Sequence, residues 1–256
     1  MGDVNKVIAA LLLLAAGSAR AADPTVTELI DRANKALRGD SSRDRVSMTI
    51  QTPDWSRTLD IEGWNKDRNF AFIVIRAPAK ERGETTLRRK NEMWLWMPKV
   101  ERVIKIPPTM MHSAWQGSDF TYEDIVKADS IVKDYDHSLI SKKKEEGRTV
   151  YRIAGVPKPD APVVWGKVIS DVAYYDEDQS VVPLKEEDYS ERGELIRTLK
   201  MSDVKIMGGR RVPTRLECEP TAKKGQKTIL VYHELQFDVP LPDDFFSYQR
   251  LQKGGN

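Results

Sequence analysis

A two-residue alternation of apolar and polar side chains, restarting every ten to fifteen residues, does most to limit what this chain can become. Leu59 and Ile61 alternate with Thr58, Asp60 and Glu62, and Val212, Thr214, Leu216 and Cys218 alternate with Arg211, Arg215 and Glu217. Ile229, Val231, Leu235 and Phe237 continue the habit near the end. Successive side chains of a strand point to opposite faces, so this pattern predicts strands with one buried and one wet face. Asp176-Glu177-Asp178, Arg192-Gly193 and Gly208-Gly209 supply turn residues between the runs. Together they predict antiparallel hairpins in a large sheet or an open barrel. Between Met201 and Val204 the apolar parity slips by one, which predicts a β-bulge at Ser202-Asp203.

Two segments depart from this period. Thr25-x-x-Glu28 is a capping box, and Val26, Leu29, Ile30, Ala33 and Leu37 follow at helical spacing, with Gly39 as the stop. Upstream, Lys6 precedes the apolar run Val7–Ala16, and Ala19-Arg20-Ala21 follows it. A charged start, a core of about ten apolar residues and an A-x-A site form a secretory signal, too short for a membrane span. Residues 1–21 are therefore expected to be a cleaved signal peptide, and residues 22–256 a single exported domain, since no linker or repeat divides them.

Charge removes other classes. The 256 residues carry 41 Lys+Arg against 39 Asp+Glu, a formal net charge of +2. That balance gives no electrostatic grip on nucleic acid. One cysteine cannot form an internal disulfide, and Cys218 shares the parity of Val212 and Leu216, as a buried thiol would. His112, His137 and His233 show no ligand spacing, and no nucleophile elbow, zinc helix, P-loop or dinucleotide fingerprint is present. Glu186-Glu187-Asp188 could supply acid–base carboxylates, but a strand sends them to alternate faces, and exposure is the default. No catalysis, metal or cofactor is expected.

Phe70-Ala71-Phe72-Ile73-Val74-Ile75 and Met93-Trp94-Leu95-Trp96-Met97 are apolar on both faces. An antiparallel strand of this kind needs cover on both sides. Two readings stay open: a sheet covered by the N-terminal helix and its own twist, or a lined cavity. Four of the eight methionines, Met93, Met97, Met110 and Met111, fall in this region, and Met adapts to variable apolar shapes. On the second reading Phe70, Phe72, Met93, Trp94 and Trp96 line the cavity. Pro107-Pro108 then ends a strand, and an apolar loop with a short helix starting near Asp119 or Thr121 follows. Met110, Met111, Trp115 and Phe120 make this loop a candidate lid, with a packed crossover as the other reading.

Read in order, Glu92–Pro98, Val100-Glu101-Arg102-Val103, Gly117–Asp124, Val182–Lys185, Asp203-Val204, Gly209–Thr214 and Pro240–Ser247 resemble the LolA-like outer membrane lipoprotein-sorting proteins, over roughly Thr25 to Leu251. The resemblance implies a mainly β fold, an unclosed antiparallel β-barrel curved around a hydrophobic cavity with a helical lid. It also implies a periplasmic carrier of lipid or lipoprotein acyl chains, working with an inner-membrane exporter and an outer-membrane acceptor. A non-transporting accessory subunit of an envelope complex is the alternative.

Overall fold

The computed structural model describes residues 23–126 and 129–254, so the expected export signal lies outside the described residues. Thirteen strands form one antiparallel sheet: β1 (Ser41–Gln51), β2 (Ser56–Lys66), β3 (Phe70–Ala77), β4 (Thr85–Arg89), β5 (Glu92–Met97), β6 (Arg102–Lys105), β7 (Tyr135–Glu145), β8 (Arg148–Pro157), β9 (Lys167–Tyr175), β10 (Val181–Tyr189), β11 (Leu195–Met207), β12 (Arg210–Pro220) and β13 (Lys227–Phe237). Their order is β6-β5-β4-β3-β2-β1-β13-β12-β11-β10-β9-β8-β7. Each strand thus pairs with its neighbour in the chain, except where β13 closes onto β1. The edges β6 and β7 do not pair, and the barrel stays open.

Helix α1 (Val26–Lys35) forms where the capping box predicts. The Thr25 side chain accepts from Glu28 N at 3.2 Å, and Thr25 N donates back to Glu28 Oε2 at 2.7 Å. Gly39 takes φ +57°, and its N–H caps Lys35 O at 2.8 Å, which turns the chain into β1. Leu29 and Ile30 pack on Tyr151, Ile153, Val172 and Val181, so α1 covers the inner face of β8 to β10.

The wet outer face carries cross-strand charge pairs, Arg43 and Arg76 on Glu62, Arg152 on Asp171, and Arg215 with Lys227 on Glu217. These pairs are part-buried on their carboxylate side, and they place charged residues without disturbing the inner face. The predicted bulge at Ser202-Asp203 is absent. β11 and β12 hold one register through this point, and Asp203 instead takes φ +53° with its carbonyl accepting from Thr214 Oγ1 at 2.8 Å. A register shift occurs between Arg45 and Val46 of β1, where His233 of β13 has no residue opposite it in the ladder and the parity switches after Tyr232.

The segment joining the two edges carries α2 (Tyr122–Val126) and α3 (Ser130–Lys133) and runs back over the inner face. Trp115 packs on Met48, Ile50, Leu59, Ile61 and Ile75. After β13 the chain crosses to the outer face of β2 to β5 and ends in α4 (Tyr248–Gln252).

Candidate functional site

A cavity of about 540 Å³ lies between the inner face of the sheet, α1 and residues 112–125 and 130–131 of the crossover segment. That volume is in the range of small-molecule sites. Its walls are largely apolar: Ile30, Ala33 and Leu37 from α1 and the turn after it, Val46, Met48, Ile61 and Ile73 from β1 to β3, and Val168, Val172, Leu199, Met201, Leu216 and Leu230 from β9 to β13. Trp115, Phe120 and Ile125 close it from the crossover segment, and Val163, Val164 and Trp165 from the loop before β9.

The sequence-based wall residues fall elsewhere. Phe72, Leu87 and Trp94 pair across β3, β4 and β5, and all face the outer side, buried with Trp64, Phe246 and Leu251. Phe70 and Trp96 pack against the same cluster. Met93 shares the inner parity of Ala71 and Arg88, yet it is sealed beneath Ile106 and Val126 and does not reach the cavity. None of Phe70, Phe72, Met93, Trp94 and Trp96 lines the cavity. The cause is cover supplied by the C-terminal segment, which makes these strands two-sided without any ligand. Of the four lid candidates, Trp115 and Phe120 line the cavity, Met111 packs against the Met93 cluster, and Met110 is exposed.

Polar bonds hold the crossover segment shut. Arg197 on β11 is 7% exposed; its guanidinium donates to Asp124 Oδ1 and Oδ2 at 2.7 and 2.8 Å and to Asp188 Oδ2 at 2.7 Å, and it stacks on Trp165 at 4.8 Å. Asp124 belongs to α2, where it also accepts from Thr121 N at 2.7 Å. Asp119 accepts from Thr228 Oγ1 of β13 at 2.7 Å, and Trp115 Nε1 donates to Thr86 Oγ1 of β4 at 3.2 Å. Arg57 of β2 donates to the Gln116 carbonyl. The segment is therefore pinned to strands on both sides of the opening.

Burial and neighbouring charge set the carboxyls here apart. Burial alone would raise Asp124, but the Arg197 and Thr121 bonds hold it below the usual carboxylate range. Burial and then the Asp188 charge push Glu186 up to about 8. Burial raises Asp188 too, against the pull of its bonded Arg197. Glu186 therefore gives up its proton at a higher pH than an ordinary glutamate. Glu187 and Asp188 are buried rather than exposed, because Arg152 with Lys185 on one face and Arg197 on the other compensate them.

This predicts a pH effect. Unfolded Glu186 ionises near its ordinary value of about 4.3. The folded state binds the proton more tightly, so stability from this group is full below that value and declines as pH rises from about 5 through about 8. Glu186→Gln should flatten that decline in urea titrations, matching the parent at pH 5 and exceeding it at pH 8. An unchanged profile would show Glu186 to be ionised in the folded protein.

A second polar group lies at the other end of the cavity. Asp44 of β1 faces Gly63 of β2, where a Cβ would stand 2.6 Å from Asp44 Oδ1, so glycine is what admits the carboxylate. Burial lifts Asp44 to about 6, partly opposed by Arg38. Arg88 of β4 donates to the carbonyls of Lys90 and Arg68. Tyr232 and Asn65 complete this end. Sequence reading missed Arg38, Asp44, Glu186 and Arg197 as site residues.

Comparisons with known proteins agree with this architecture. A family model described as "Uncharacterized protein"-like matches residues 67–253. A DUF1329 family protein from Desulfovibrio piger superposes with a TM-score of 0.75 at 21% identity, over 88% of this chain and 97% of its own. A LolA superfamily protein from Nitrosomonas europaea gives 0.73 at 23% identity, over 90% of this chain and 100% of its own. A Vibrio parahaemolyticus domain described as a candidate outer membrane lipoprotein-sorting protein gives 0.69 at 20% identity, over 88% and 97%. No curated protein sequence matches the chain.

Proposed function

We propose, from the premise that the chain belongs to the "Uncharacterized protein"-like family matched over residues 67–253 and has the LolA-superfamily fold, that it is a periplasmic carrier of lipidic or acylated cargo. The observation that carries this reading is the largely apolar cavity of about 540 Å³ closed by a segment held through side-chain bonds. Its expected export signal and the lipoprotein-sorting description of the Vibrio relative support the location and the task. The reading is of a binding protein and not an enzyme, because the buried carboxylates Asp124 and Asp188 are committed to Arg197.

A carrier must release what it holds. Burying an acyl chain contributes about 0.8 kcal/mol per CH₂, so sixteen carbons would contribute a gross 12 kcal/mol or so. Contacts that the closed protein makes with itself oppose this, because cargo must displace them. Trp115 and the Arg197–Asp124 bonds are such contacts. An inner-membrane exporter as donor and an outer-membrane acceptor are the partners this role calls for.

Lipid extraction and mass spectrometry of protein purified from its native envelope test the reading. Co-purified lipid at near one equivalent is expected, and Trp115→Asp should reduce loading of a fluorescent fatty acid at least fivefold while far-UV circular dichroism stays unchanged. A protein that yields no lipid and binds no hydrophobic probe is not a carrier. Lipid binding without transfer between vesicles would instead favour an accessory binding subunit.

A further inference from the structure

We infer that the cavity takes an amphiphile with an anionic head, seated against Arg38 beside the end of α1, with its apolar tail directed toward Trp115. This rests on the lipid-binding reading and narrows it to a headgroup class. Three arginines line the cavity. Arg197 is consumed by Asp124 and Asp188, and Arg88 donates to two carbonyls. Among the described residues the Arg38 guanidinium has no hydrogen bond or ion pair with the protein. The Arg38 side chain is part-buried on the cavity wall, and its guanidinium carries five donors, which need acceptors once a ligand shuts out the water. An anionic oxygen in the cavity would be that acceptor, and charge-assisted bonds to it are the strong kind.

The surrounding charges leave a positive remainder. The charged or titratable groups acting on Arg38 are Asp44, Asp129, Tyr232, Arg68 and Arg88. Asp129 is paired with Lys133, and Arg68 with Asp31. Burial keeps the Tyr232 phenol protonated. Asp44 is then the one carboxylate available to two cations, and it also accepts from Asn65 at 3.3 Å. A cationic head would meet repulsion here, and a neutral head would leave Arg38 without a charged partner.

The lengthwise arrangement suits the same ligand. Asp44 lies six residues from Ile50 along β1, about 20 Å at the rise of an extended strand. Ile50 sits at the level of Trp115, and Ile50 pairs with Thr228, the residue that binds Asp119. Between the two ends the wall is Val46, Met48, Ile61 and Leu230. The cavity thus has an uncompensated cation at the Arg38 end and an apolar middle, while the charges of Arg197 and Asp124 at the far end are bonded to each other.

Displacement of the neutral probe N-phenyl-1-naphthylamine from delipidated full-length protein tests the inference. The competitors are oleate, oleyl phosphate, oleyl alcohol and oleylamine, each below its micelle concentration. Oleate and oleyl phosphate should displace the probe about tenfold more strongly than oleyl alcohol, and oleylamine least. Arg38→Met should abolish that preference and leave oleyl alcohol within about twofold of the parent. Asp44→Asn removes the competing carboxylate and should strengthen oleate severalfold over oleyl alcohol, which tests the inference even where Arg38→Met fails to fold. Equal displacement by all four overturns the headgroup inference but leaves the carrier reading standing. A preference that survives Arg38→Met also overturns it. Displacement by none of them, or a protein that never takes up the probe, removes the carrier reading itself.

Discussion

Arg197→Met will destabilise the folded protein by about 3–5 kcal/mol at pH 8, read from urea denaturation. The side chain is 7% exposed and bonds both Asp124 and Asp188, the second of which is wholly buried. Removing the cation leaves both carboxylates in a poorly solvated site, and Asp188 Oδ1 has no hydrogen-bond partner even with Arg197 present. The loss should be smaller at pH 5. There Asp188 and Glu186, already raised by burial, can take up protons and shed the unpaired charge. Arg197→Lys should recover only part of the loss, since an ammonium point charge cannot span the bidentate contact to Asp124 and the third bond to Asp188. A cost below about 1 kcal/mol, or an equal cost at both pH values, would mean that the Arg197 cluster is not the fastening that the distances indicate.

The same cluster marks where sequence reasoning stopped. Alternation, turn residues and the capping box were sufficient for a large antiparallel sheet with one leading helix, because each depends on neighbours within a few residues. Between the large sheet and the open barrel that this pattern allows, the resemblance to LolA-like proteins selected the barrel. Cavity polarity escaped because charged residues in a strand read as its wet face. A signal did exist: Arg197 shares the parity of Leu199 and Met201, and Asp44 that of Val46, Met48 and Ile50. A charge on the apolar parity of an alternating strand is unfavourable unless it is paired or put to use. Arg38 carried no such mark, since it lies in the turn between α1 and β1. For the two-sided strands no parity argument was available, because both parities are apolar. What covers Phe72 and Trp94 lies some 150 residues further along the chain.

That distant cover leads to the second large effect. Phe246→Ala should cost about 3–5 kcal/mol, the range for removing a buried aromatic ring. Phe246 is 0% exposed, and its ring centroid lies 5.2 Å from those of Phe70 and Phe245. Around it, Trp64 meets Phe245 at 5.5 Å, Trp94 meets Tyr248 at 5.0 Å, and the Arg250 guanidinium stands 3.9 Å over Phe245. Ser41 Oγ donates to the Val239 carbonyl at 2.8 Å and Lys66 pairs with Asp243, which fix where the segment leaves the sheet. A ring lost from such a cluster leaves a void that flexible neighbours fill only in part. Cargo loading per folded molecule, however, should stay within about twofold of the parent, and Trp94→Ala should behave in the same way, because both residues lie on the opposite side of the sheet from the cavity. Trp115→Asp should separate the two properties in the reverse sense, lowering loading by the larger factor. If Trp94→Ala abolished loading while leaving stability intact, the outer aromatic cluster would be the binding surface and the C-terminal segment its displaceable cover.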